Sequence, residues 1–378
     1  MCAIARAELK PREERRLLRG HLWAYRNEFA SLPESLADGD LTDVFSHDGK
    51  RVGRGFYQAE GGIAVRILSR QAQEFEVDFF RERIATALRL RERFFPGNRV
   101  YRWVHGESDG LPGLVADRFE SVVSVRTSCG FYERFAERLV EVFQGFDGVE
   151  GVLFEYRNAH QVFGNVPEEI EVTLDGVRLG FALSAGQKTG LFLDQRENCR
   201  LLDRVAPGAR VFDGHCYIGQ WSCRALRAGA ASVLGADTSQ RAIDWARRNV
   251  ALNGGEDRCQ IECAPVERLL KSAGRFDVVC LDPPALAKGR LSAGKALELY
   301  QALNRDGMKA VEPGGFLISS SCSQPVDMSL FLEMLKRSAR SAQRQVTILE
   351  LRGAPLDHPV LMEMPETSYL TCALLQIH

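Results

Sequence analysis

The spacing of apolar and polar positions changes character along the chain. In residues 3–72 they alternate in short runs, LTDVF and RVGRGFYQ among them, joined across Asp48-Gly49. Alternation predicts half-buried strands, and Asp-Gly favours a tight hairpin because glycine accepts positive φ cheaply. A small β-barrel is expected there. Over 74–95 the period lengthens: Phe75, Phe79, Ile84, Leu88 and the stretch 90–94 recur near helix spacing until Pro96-Gly97 ends the pattern. Residues 100–183 return to strand-like pieces (VVSVRT, GVLFEY, IEVTL, VRLGFAL) around one amphipathic helix at 132–143, which predicts a compact α+β segment.

After about residue 190, apolar runs alternate with helical patterns, the signature of a parallel sheet covered on both faces. The predicted strands are ARVFD, SVLGAD, CQIEC, FDVVCLD and GFLISSS, then QVTILELR and YLTCALLQI. Helices are predicted near 220–228, 239–252, 264–272, 294–310 and 327–340. No helix separates the last two strands, so one of them should run antiparallel. The fold class is therefore α/β, with a seven-stranded doubly wound sheet in 184–378, preceded by a β-barrel in 1–72 and an α+β middle domain in 73–183.

Composition narrows the partners. With 45% hydrophobic and 26% charged residues the chain reads as a soluble protein, and a formal net charge of -1 requires any nucleic-acid partner to be met by a local patch. Ten cysteines show no Cys-x-x-Cys pair and no zinc-ligand spacing, and His21, His105, His160, His215 and His358 are scattered, so no metal site is expected. The opening residues lack an apolar leader and no run approaches the roughly 18 apolar residues of a membrane span. Free thiols in a reducing cytoplasm follow as the expectation.

Candidate chemistry lies where strands of such a sheet end. The first strand ends in Asp213, followed by a loop in which Gly219 permits close backbone approach. The second ends in Asp237, placed for the hydroxyls of a ribose, with Thr238 or Ser239 set to cap the next helix. No Gly-x-Gly-x-x-Gly or phosphate-binding loop is present, which favours a nucleotide cofactor without phosphates such as S-adenosylmethionine. The fourth strand delivers Asp282, and the turn through Pro283 and Pro284 is stiff enough to present it to a planar base. The fifth delivers Cys322. A lone cysteine there reads as buried filler on composition, but neighbouring strand ends would bring it beside Asp282, giving a nucleophile and an acid at one site. Thiolate addition at carbon 6 of cytosine would make carbon 5 nucleophilic, and Asp282 could protonate or hydrogen-bond the ring.

Nearly the whole chain resembles the bacterial PUA-domain class I methyltransferases that form 5-methylcytosine in 23S ribosomal RNA. LKPREERRLLRGHLWAYRNEF, DGLPGLVADRF, GQKTGLFLDQREN, LDPPALAKGR, SSSCS and DHPVLMEMPETSYL carry the resemblance, the last four of these in the catalytic half. It implies that Asp213 and Gly219 line the cofactor loop and that Asp237 holds the ribose. Asp282 and Pro283 would meet the target base, with Cys322 as covalent nucleophile. Lys188, Asp194, Gln195 and Arg196 would close over the site, with Asp194 and Glu197 also reading as a helix capping box. The sequence departs from the family pattern at Gly214, Ile218, Gln220 and Trp221 in the cofactor loop, at Cys263 after the third strand and at Leu286 after Asp-Pro-Pro-Ala. RNA contact is expected from Lys10, Arg15 and Arg19, near Trp23 and Tyr25, and the resemblance suggests a homodimer. Two alternatives share these residues: methylation of another base atom, with Cys322 as packing, and a non-catalytic RNA-binding or ribosome-assembly relative.

Overall fold

A computed structural model of the chain describes residues 4–157, 159–183, 190–286 and 293–378. The chain divides into two compact units, Met1–Glu168 with Leu356–Thr367, and Glu169–Pro355 with Ser368–His378. Each is described by itself.

The first unit opens with β1 (Ala5–Leu9), α1 (Glu14–Arg19), β2 (Trp23–Tyr25), β3 (Phe29–Ser31), β4 (Leu41–Phe45), β5 (Arg51–Tyr57) and β6 (Ile63–Ser69). These strands form one sheet in the order β2-β6-β5-β4-β1-β3 around Leu9, Leu17, Val44, Val65 and Ile67. The β4–β5 hairpin turns at Asp48-Gly49, where Gly49 has φ +81°. Gly55 is required by space: a Cβ there would stand 1.8 Å from the Arg66 carbonyl oxygen.

There follow α2 (Val77–Phe94), β7 (Val100–His105), β8 (Leu114–Phe119), β9 (Val122–Thr127), α3 (Gly130–Glu133), α4 (Ala136–Gln144), β10 (Gly151–Tyr156) and β11 (Ala159–Gly164). The second sheet runs β11-β10-β9-β8-β7, and Phe80, Ile84, Trp103, Phe131 and Phe143 pack together in the core beside it. The single helix expected at 132–143 is broken. Phe131 stacks on Phe56 at 4.8 Å while Tyr132 meets the same ring edge-on, and the backbone leaves the helical region at Phe135 (φ -108°, ψ 10°). Aromatic packing of Phe131 and Tyr132, just before the break, outweighs the local helical periodicity.

Arg91 is fully buried in this unit, donating to both carboxylate oxygens of Asp109 (2.7 and 2.8 Å) and to the Asp357 carbonyl (2.7 Å). Arg102 pairs with Asp117, and its backbone N–H donates to the Asp357 carboxylate at 2.9 Å. Asp357 also holds His358 at 2.9 Å. Residues 357–367 of DHPVLMEMPETSYL, assigned from sequence to the catalytic half, thus pack in the first unit.

The second unit begins with the hairpin of β12 (Glu169–Leu174) and β13 (Val177–Ala182), which the sequence reading places before its boundary at 183. The Asn249 side chain ties the hairpin down, accepting from Gly180 N–H at 2.6 Å and donating to the carbonyls of Gly180 and Ile218. After α5 (Arg196–Cys199) and α6 (Leu202–Val205) come β14 (Arg210–Gly214), α7 (Gln220–Arg227), β15 (Ser232–Asp237), α8 (Gln240–Leu252), β16 (Cys259–Cys263), α9 (Val266–Ser272), β17 (Phe276–Leu281), α10 (Ala293–Ala310), β18 (Val311–Ser321), α11 (Met328–Ala342), β19 (Val346–Arg352) and β20 (Thr371–Ile377). The seven strands lie in the order β16-β15-β14-β17-β18-β20-β19. β20 is the antiparallel one, opposed to both β18 and β19. Strand order reverses between β14 and β17, the place where such sheets open a ligand crevice at their carboxyl ends.

Candidate active site

Four of the anticipated groups come off the carboxyl ends of neighbouring parallel strands. On β14, Asp213 is 1% exposed. Its Oδ2 accepts from Ser222 of α7 at 2.6 Å, while Oδ1 is buried with no partner among the described residues. Burial, with the nearby Asp282 charge adding to it, pushes the Asp213 carboxyl up to about 7. Asp237 ends β15, and its two oxygens accept the backbone N–H groups of Tyr217 (3.1 Å) and Ser239 (2.9 Å). Ser239 in turn caps α8 through Ala242 N–H, so of the two expected caps it is Ser239 that serves; Thr238 is exposed beside it.

The loop between β14 and α7 is tightly coiled. His215, Tyr217 and Gly219 all have positive φ (+65°, +49° and +82°), and a Cβ on Gly219 would come within 3.2 Å of Ala246 Cβ. The left-handed backbone, which L side chains rarely adopt, calls for that glycine, and the nearness of Ala246 adds to it. Cys263 closes β16 exposed, its sulfur 3.6 Å from the Thr238 carbonyl oxygen.

Asp282 follows β17. Gln195 donates its amide to Oδ1 at 2.7 Å and Trp221 its indole N–H to Oδ2 at 3.2 Å. The Gln195 amide is itself oriented, because Asn198 donates to its Oε1 at 2.8 Å. Cys322 follows β18, half-buried, with Sγ 3.9 Å from the carbonyl oxygen of Pro283, the residue after Asp282. Tyr300 and Ser323 share a buried hydrogen bond of 2.9 Å behind it. The thiol therefore sits beside the Asp-Pro-Pro turn. Pro284 is exposed on that turn, and Lys188 lies outside the described residues.

Other expectations change place. Arg196 is 5% exposed and paired through two bonds with Asp175 between β12 and β13, a scaffold ion pair where an RNA contact was expected. Asp194 lies within the 3-10 turn Leu193–Gln195 and accepts from the Tyr369 hydroxyl at 2.7 Å; the caps flanking it are Phe192 and Gln195, so no capping box forms with Glu197. In the first unit Arg15 and Arg19 are exposed on α1, while Lys10 donates to the Asn27 carbonyl at 2.8 Å. Sequence reasoning missed Trp221, Asn198 and Ser222 as site residues. An indole entering a polar loop was the available signal, since a buried indole N–H needs an acceptor.

The donor set fits S-adenosylmethionine, which brings hydroxyls, an ammonium and a sulfonium and no phosphate. Asp213 and Asp237 meet only neutral donors among the described residues, so the crevice is acidic and disfavours phosphates. An orphaned carboxylate oxygen on Asp213 is the kind of acceptor that a bound donor satisfies. An open cavity of about 720 Å³ lies elsewhere, in the first unit, against Phe131, Arg134, Phe135, Arg138 and Gln161, and none of the anticipated site residues lines it. Among the described residues no group of three His, Cys, Asp or Glu is arranged for a metal, and no helix is long and apolar enough to cross a membrane.

Known proteins resemble the chain in sequence and in fold. A PUA-like domain model matches residues 7–70, and a model of an S-adenosylmethionine-dependent methyltransferase matches 153–360. The chain is 32% identical over 394 residues to ribosomal RNA large subunit methyltransferase I of Alteromonas mediterranea, with 97% of each covered. It is 33% identical over 397 residues to the protein of that name from Shewanella denitrificans, again with 97% of each covered. A solved Streptococcus mutans structure assigned as an S-adenosylmethionine-dependent methyltransferase superposes with a TM-score of 0.88 at 20% identity, over 99% of this chain and 100% of that one.

Proposed function

The chain belongs to the PUA-containing S-adenosylmethionine-dependent methyltransferases, the family that includes the ribosomal RNA large subunit methyltransferase I proteins, and from this premise we propose that it methylates carbon 5 of a cytosine in 23S-type ribosomal RNA through a covalent adduct on Cys322. The cofactor, when bound, supplies an electrophilic methyl group. Asp237 would hold its ribose hydroxyls, with Thr238 beside them, while Asp213 and Gly219 line the loop around it. Lys10, Arg15 and Arg19 of the PUA-like segment, read as residues 1–72, would engage the RNA backbone.

Carbon 5 of cytosine is a weak nucleophile. In this reading the Cys322 thiolate adds to carbon 6, forming a C–S bond, and the ring's electron pair moves to carbon 5. Asp282 hydrogen-bonds the base during addition, and Pro283 and Pro284 keep the turn stiff under it. Once carbon 5 carries the methyl group, water accepts its proton, the C–H electrons restore the ring double bond, and the C–S bond breaks to return the Cys322 thiolate. The carrying observation is the sulfur of Cys322 3.9 Å from the carbonyl of Pro283, the residue that follows Asp282, whose carboxylate Gln195 and Trp221 hold.

The test uses labelled cofactor and total RNA from a strain lacking the enzyme. Cys322→Ala should lower methyl transfer at least about a thousandfold, as expected for loss of a covalent nucleophile, and mass mapping should place the label on cytosine carbon 5. Undiminished transfer by the variant, or a label on a guanine nitrogen, would overturn the proposal.

A further inference from the structure

The first turn of α7 hands two consecutive side chains to two strand-end carboxylates. Ser222 donates to Asp213 at 2.6 Å, and Trp221 donates to Asp282 at 3.2 Å. Trp221 is 4% exposed, so its indole has been taken out of water, and a phenyl ring would fill much of the same space without a polar atom to satisfy. The N–H that burial makes costly is spent on one oxygen of Asp282, while Gln195 takes the other. Asn198 fixes Gln195 in turn, donating to its Oε1 and to the Gly353 carbonyl at 3.2 Å. Two donors on opposite oxygens define the plane of a carboxylate, which one donor alone leaves free to rotate about its Cβ–Cγ bond.

We infer that Trp221 is a positioning residue for methyl transfer: its indole N–H, set against the Gln195 amide, locks the plane of the Asp282 carboxylate against the base. The inference rests on the reading that Asp282 meets the base. It assigns Trp221 no contact with the reacting atoms. A donor to a carboxylate favours its ionised form, so losing one raises the carboxyl's titration midpoint.

Trp221→Phe removes the N–H and keeps an aromatic ring. Single-turnover methylation of ribosomal RNA from a strain lacking the enzyme should fall about tenfold at neutral pH, the value of one hydrogen bond to a charged group. The Kd for S-adenosylmethionine and the KM for RNA should stay within about twofold. The acid limb of the rate profile should move to higher pH. In cofactor-free protein labelled with 13C at aspartate carboxyl carbons, with Asp282→Asn identifying the resonance, the Asp282 midpoint should move the same way. Should Trp221→Phe fail to fold, 3-benzothienylalanine at position 221 keeps the shape and lacks the N–H.

A midpoint and a rate profile both unmoved would overturn the inference, as would a rate loss uniform with pH that merely follows a lower Tm. The NMR titration does not depend on the reaction, so it separates the two proposals. A shifted midpoint in an enzyme that labels no cytosine carbon 5 supports the hold of Trp221 on Asp282 and removes the proposed target.

Discussion

The paired carboxylates of the first unit and the strand-end carboxylates of the second are treated in opposite ways. In the first unit, Asp109 meets Arg91, Asp117 meets Arg102 and Asp43 meets both Arg54 and Arg51. Burial pushes the Asp43 carboxyl up, but the two guanidiniums more than reverse this and it ends below the usual range. In the second unit, Asp213 and Asp237 are met by a hydroxyl and by backbone amides, and no cation pairs with either among the described residues. With no counter-charge, burial wins at Asp213 and its carboxyl rises to about 7. An internal ion pair spends its charge on the fold. Neutral donors orient a carboxylate without supplying a counter-charge, which a bound ligand can then provide.

Breaking a matched pair should produce the largest effect. Asp109→Asn leaves the Arg91 guanidinium, fully buried, without its counter-charge. Stability should drop by about 3–5 kcal/mol, read from urea unfolding, because desolvation of the remaining charge is no longer offset. A loss below about 1 kcal/mol would mean that Arg91 finds water or another acceptor, and the contrast between the units would not hold.

At Asp213 the comparison predicts a pH dependence of definite sign. An unfolded aspartate titrates near 3.8, the folded one near about 7. Between these values the unfolded chain has released a proton that the folded protein retains, so stability falls as pH rises through the window. The total is at most about 4 kcal/mol. Asp213→Asn removes the titration, so the variant's stability relative to the parent should rise steadily from pH 4 to 7, measured by denaturant unfolding at each pH. A difference independent of pH would show that Asp213 stays ionised in the fold, with a counter-charge after all.

How much of this could be read from the sequence follows from the range of each interaction. Asp213, Asp237, Asp282 and Cys322 each follow an apolar run, a local signal, and the run order predicts the sheet. Trp221 was legible only as an odd residue in the loop, because its acceptor lies 61 positions away on another strand. The return of Asp357 to Arg91, across 266 positions, has no local signature at all, and this is why 357–367 was assigned with the sheet it interrupts. Arg196 misled for the opposite reason: it stands beside Gln195, which does reach Asp282, yet one residue along a helical turn points toward Asp175.

The smallest effect should come from the first unit's imidazoles. The rings of His105, half-buried, and His358, buried, lie 5.0 Å apart, with Arg102 3.2 Å from His105 Nδ1 and Asp357 holding His358. Burial holds His105 well below 6.5, and the charges of His358, Arg102 and Arg91 push the same way against a backbone hydrogen bond involving Thr367. Asp109, which accepts from the His105 backbone N–H, already has its charge committed to Arg91. As pH falls below 6.5 the unfolded chain takes up a proton that the folded one refuses, so stability is lost with acid at up to about 1.4 kcal/mol per unit of pH. This slope is opposite to that at Asp213. Relative to the parent, His105→Gln should lose stability as pH rises from 5 to 6.5 in denaturant unfolding, where Asp213→Asn gains it. Two differences running in the same direction would mean that matched and unmatched charge do not distinguish the two settings.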